Sequence, residues 1–146
     1  MLKRISSFIG LVALMVLLTG IMTAAAPVPN TTITLVQGLP SVMNVGDTYT
    51  VVVQVESDQP FNTAMALPSF HFPGKGVAVV QGGDHAGQGT NAMLELTFKA
   101  KSSTAEFPGT ANCPSGGVAP VSVVVGARYT GGYVAVQRFE FCVQVP

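Results

Sequence analysis

The 146 residues suit one ordinary domain, and 48% of them are hydrophobic while 10% are charged, against roughly 25% charged in a typical soluble domain. Seven Lys and Arg balance seven Asp and Glu, so no positive field gathers phosphate and nucleic acid is not an expected partner. Two His, two Cys and no Trp leave almost no inventory for metal centres, thiol chemistry or sugar-stacking platforms.

In chain order, Met1-Leu2-Lys3-Arg4 is a basic start, Ile5 through Met22 carries no charge, and Thr23-Ala24-Ala25-Ala26 closes the stretch with small residues. This is the layout of a secretory signal peptide over residues 1–25. Pro27 has no N–H and suits a peptidase poorly, so the expected cut falls after Ala24 or Ala25. The alternative is an uncleaved anchor, because Ile5 to Ala26 reaches the roughly 20 residues that span a bilayer. Membrane contact is expected only in that case. No Cys near the exit offers a lipid site, and Lys3-Arg4 is not a twin-arginine pair. Secretion or display at the cell surface is the expected address. Loss of the leader leaves five basic against seven acidic residues.

Residues 26–30 form an extended, proline-bearing linker. Asn30-Thr31-Thr32 is an N-glycosylation acceptor. Beyond it, short alternating β-branched runs are separated by Gly, Pro, Asn and Asp, and no stretch keeps a helical period. Predicted strands are Thr31 to Gln37, Thr48 to Glu56, Ala64 to Phe72, Val77 to Gln81, Ala92 to Lys101, Val121 to Tyr129 and Tyr133 to Val145, with a minor strand near Val42. About seven strands over residues 31–146 define an all-β fold, an antiparallel immunoglobulin-like β-sandwich. Tyr49, Val51, Val53 and Val55 share one face of the second strand. Leu94, Leu96, Phe98 and Ala100 share one face of the fifth. Those faces are core, and Thr50, Gln54, Glu95 and Lys99 are solvent-facing.

Gly131-Gly132 invites a two-residue hairpin, but that register would set Val123 opposite Glu140 and Val125 opposite Arg138. An odd loop, Thr130-Gly131-Gly132, groups Val121, Val123 and Val125 with Phe139, Phe141 and Val143 instead. Because a one-residue slip exchanges the two faces of a strand, the odd loop is expected, with one glycine left-handed. Cys142 then points outward beside Arg138 and Glu140. With Cys113 it makes an even count in an exported chain, which predicts a disulfide. That bond would staple the irregular Pro108-to-Gly117 segment onto the outer sheet face, unlike the core-crossing bridge of antibody domains.

The run Asn44-Val45-Gly46-Asp47-Thr48-Tyr49-Thr50-Val51-Val52-Val53, followed by Leu94-Glu95-Leu96-Thr97-Phe98-Lys99-Ala100-Lys101, resembles two strands of bacterial cohesin-like and immunoglobulin-like extracellular modules. The resemblance implies a secreted sandwich used for display, adhesion or assembly.

Gly82-Gly83-Asp84-His85-Ala86-Gly87-Gln88-Gly89-Thr90-Asn91 gathers polar side chains among glycines. Asp84, His85 and Asn91 are its candidate ligand residues, for calcium or a small molecule. The plainer reading is a strand connection, since the spaced acids of an EF-hand are absent. His71, between Phe70 and Phe72, faces away from both rings if extended. Two His do not make the three or four ligands of a zinc site, and no free Cys among His ligands suggests copper. Neither a metal nor a cofactor is expected.

Asp84 and His85 are neighbours, which is awkward for a triad, and no Gly-x-Ser-x-Gly elbow occurs. Glu56, Glu95 and Glu140 already fit solvent-facing strand positions, which argues against paired carboxylates for glycoside cleavage. Tyr129 and Tyr133 flank a hairpin, where cross-strand pairing accounts for them. The expectation is a non-catalytic structural or adhesive module that binds protein partners or copies of itself. The alternative is a module for a small ligand or a carbohydrate, using residues 82–91.

Overall fold

Alternation between apolar and polar residues decides which way each strand faces, and turn residues decide where the chain leaves a sheet. The computed structural model describes residues 26–70, 76–81 and 83–146. The predicted leader, His71, Phe72 and Gly82 lie outside the described residues. Among the described residues eight strands follow in order: β1 (Thr31–Gln37), β2 (Thr48–Phe61), β3 (Thr63–Phe70), β4 (Val77–Gln81), β5 (Asp84–Ala86), β6 (Gly89–Ala100), β7 (Ala119–Arg128) and β8 (Val134–Val143). Among the described residues no helix is long and apolar enough to cross a membrane.

Two four-stranded sheets form, β1-β2-β6-β4 and β5-β3-β7-β8, and every strand pair is antiparallel. Apart from β5, this is the strand order of an immunoglobulin constant-type sandwich, four strands facing three. The core lies between the sheets. Val51, Val53 and Val55 of β2 and Leu94, Leu96, Phe98 and Ala100 of β6 are buried from one side, and Ala64, Ala66, Val121, Val123 and Val125 from the other. Stacked sheets meet about 10 Å apart, so an alternating strand buries one face only. That is the pattern the sequence carries.

The differences from expectation have local causes. β2 continues past Glu56 to Phe61, with its register to β6 shifted between those residues. Pro60 has no N–H to give, and the Asp58 N–H faces β1, where it donates to Asn30 O at 3.2 Å. Only Asn62 separates β2 from β3, and there the chain changes sheets. The minor strand near Val42 is a single parallel bridge to Gln144. The connection expected over residues 82–91 is largely strand, because Asp84–Ala86 pairs with Ala64–Ala66 and β6 begins at Gly89. Three residues between glycines give too little alternation to signal a strand.

The β7–β8 hairpin has the expected odd register, with Val121 opposite Phe141 and Val123 opposite Phe139. Tyr129 N–H donates to Tyr133 O at 2.9 Å, closing Thr130-Gly131-Gly132. Both glycines, not one, are left-handed, with φ of 91° and 89°. A β-carbon at either position would be strained.

Candidate functional site

The segment 82–91 is positioned by β5, a short edge strand paired with β3 that falls between β4 and β6 in the chain. The last β4–β6 pair is Gln81 with Thr97, and beyond it the Asp84 carboxylate takes over the edge of β6. Its Oδ2 accepts the Glu95 N–H at 2.7 Å, and its Oδ1 accepts the His85 N–H at 2.9 Å. The carboxylate thus bonds backbone groups, and its contact with His85 is through the main chain. His85 is exposed. Asn91 Nδ2 donates to Glu56 Oε1 at 3.3 Å, and Gln54 Nε2 donates to the same oxygen at 2.8 Å. The structure therefore brings Asp84 and His85 together and leaves Asn91 on the outer face of the other sheet. Among the described residues no group of three or more His, Cys, Asp or Glu is placed to hold a metal.

A second region is built around the bond between Cys113 and Cys142. Cys142 lies on the outward face of β8, and Cys113, within the 101–118 loop, is buried. Asn112 Nδ2 donates to Glu140 Oε1 at 2.9 Å, so the loop is fastened to β8 by side chains as well as by sulfur. Beside the disulfide is an open groove of about 250 Å³, walled by Ser41, Val42, Pro114, Ser115 and Val118. Its walls hold no titratable group, since the two cysteines are bonded to each other. The groove offers apolar surface together with the Ser41 and Ser115 hydroxyls and the Gln144 amide, and no charged side chain lines it.

The surface feature missed in the sequence is on the outer face of the β5-β3-β7-β8 sheet. Met65 and Leu67 of β3 and Val134 and Val136 of β8 are exposed. Met65 and Val136 lie in one row, both paired with Gly126 of β7. Their signal is visible as Met65-Ala66-Leu67 and Val134-Ala135-Val136. Those runs are apolar on both faces, so alternation alone could not say that one face is open to water.

Strand order and register define the class: an immunoglobulin-like β-sandwich with a peripheral disulfide. No protein-family model and no curated protein matches the chain. Among solved structures, one match is the native conformation of E. coli alpha-2-macroglobulin, with 16% identity and a TM-score of 0.44. It covers 84% of this chain and 7% of that one, so this chain spans a small fraction of that protein's length.

Proposed function

We propose that this protein is a non-catalytic structural or adhesive module, exported and acting outside the cell or at its surface, with protein partners that include copies of itself. The observation that carries the reading is the apolar outer face: Leu67 and Val134 are 50% exposed and Val136 62%. Met65 and Val136 flank Gly126 in one row of this face, and exposed apolar surface of this kind marks interaction sites. Export is supported by the Cys113–Cys142 bond, since disulfides persist in oxidising compartments. The cohesin-like and immunoglobulin-like modules that the Asn44–Val53 pattern resembles are used in the same way. The polar side chains of residues 82–91 favour this reading over a ligand or glycan loop, because Asp84 and Asn91 are engaged within the chain.

Light scattering across a concentration series tests the association, and intact mass tests the export. The expected results are a mass that rises with concentration and a mature start near Ala25 or Ala26. Retention of the leader in membranes would replace secretion by anchoring. A monomer at every concentration, with melting shifted by calcium or a glycan, would replace the adhesive reading by the ligand-binding one.

A further inference from the structure

Of the four sheet edges, three are blunted by devices that discourage pairing with another chain. β1 has a register shift between Leu35 and Gln37, β4 is five residues long with a shift between Val79 and Gln81, and β5 has three residues. The fourth edge, β8, pairs with β7 over ten residues without a shift. Its free side is also defined. Tyr133 O faces β7, where it accepts the Tyr129 N–H, while Gln144 faces away: it donates to Ser41 O at 2.8 Å and accepts from Met43 N–H at 2.9 Å. Backbone groups alternate along a strand. Val134, Val136, Arg138, Glu140 and Cys142 therefore turn both N–H and C=O toward the open edge, and Ser41 to Met43 occupy it at Gln144.

Charge selects the occupant. Arg138 and Glu140 are two residues apart on the exposed face of this edge; Arg138 Nη2 donates to Ser69 Oγ at 3.3 Å and Glu140 Oε1 accepts from Asn112 Nδ2 at 2.9 Å, so each has a neutral partner, while Arg138 Nε is 3.8 Å from Glu140 Oε1, beyond hydrogen-bonding distance. Like charges along an edge repel a copy of the same strand. Opposite charges at this spacing do the reverse, because an antiparallel copy with its two-fold axis at Phe139 sets Arg138 against Glu140 of the second copy, and Glu140 against its Arg138. Val136 then stands opposite Cys142 of the second copy.

We propose that the β8 edge, from Val136 to Cys142, binds a second copy of this chain by antiparallel strand pairing about a two-fold axis, with Arg138 and Glu140 fixing the register. This rests on the reading that the module self-associates, and it names the surface. The two sandwiches join into one continuous sheet across the axis, with the exposed Val136 at the seam and Met65 two strands in from it. An edge of this length buries less than the roughly 1,200 Å² of a standard interface, so the dimer is weak and reversible.

Sedimentation velocity of the exported, disulfide-intact protein over a concentration series tests it. The expected result is a monomer–dimer equilibrium that Arg138→Glu or Glu140→Arg each weakens by about tenfold, since each reversal puts like charges opposite at both symmetric positions. The double variant, R138E with E140R, is expected to restore dimerisation. These residues are exposed, and circular dichroism will verify that each variant is folded. A dimer indifferent to the single reversals, or not restored by the exchange, overturns the β8 edge while self-association stands. A monomer at every concentration overturns the edge and self-association together.

Discussion

The Tyr129 hydroxyl donates to Ser57 Oγ at 2.8 Å, joining two residues 72 apart in the chain. Thr31 Oγ1 bonds the same phenol oxygen, so one hydroxyl ties β1, the β2 extension and the end of β7. The ring is 3% exposed and meets Phe61 edge-on with centroids 6.4 Å apart. Tyr129→Phe keeps the ring packing and removes the hydroxyl, leaving two partners in a half-buried site. It is expected to cost about 1–2 kcal/mol in urea unfolding, whereas Tyr129→Ala loses the packing as well and costs about 4 kcal/mol.

Thr104 is buried and fastens the C-terminal segment. Its Oγ1 donates to Gly117 O at 2.7 Å and accepts the Val145 N–H at 2.8 Å, while its own N–H donates to Val145 O at 2.9 Å. Thr104→Val preserves the shape but strands the Val145 N–H and the Gly117 carbonyl, for a loss of about 2 kcal/mol. Thr104→Ser keeps the hydroxyl and is expected to lose less than half of that. Equal losses in the two variants would show that the methyl, not the hydrogen bonds, carries the effect.

The disulfide closes a loop with a sequence separation of 29. Replacing both cysteines by serine is expected to lower stability by about 3 kcal/mol. The same loss should follow reduction, and amide exchange should rise first in residues 105–118, which the bond and Asn112 hold to β8. Thiol titration of the denatured, unreduced protein should find no free thiol.

The alternating segment Thr31–Gln37 is an edge strand in its own sheet, paired with β2, and Ile33 and Leu35 pack against the core. A chain beginning at Gly38 is therefore expected to lose about 3 kcal/mol of stability from their burial alone, and to leave Tyr129 without Thr31. If the truncated protein instead keeps its stability but no longer associates, the segment is a strand donated to a neighbouring copy.

What the sequence by itself determined is what period and turn chemistry encode. The inward faces of β2 and β6, the odd β7–β8 loop and the outward Cys142 all follow from a two-residue repeat in which a slip would bury Glu140 or Arg138. Even count and outward position sufficed to pair Cys113 with Cys142. Only the tertiary structure decided where strands change sheets and which edges remain open. β5 is three residues whose pairing with Ala64–Ala66 comes from long-range contact, and Asp84 looks like a ligand until the Glu95 N–H is found beside it. The free edge of β8 is likewise a property of strand order, because backbone groups left unpaired depend on which neighbours arrive and not on the residues that carry them.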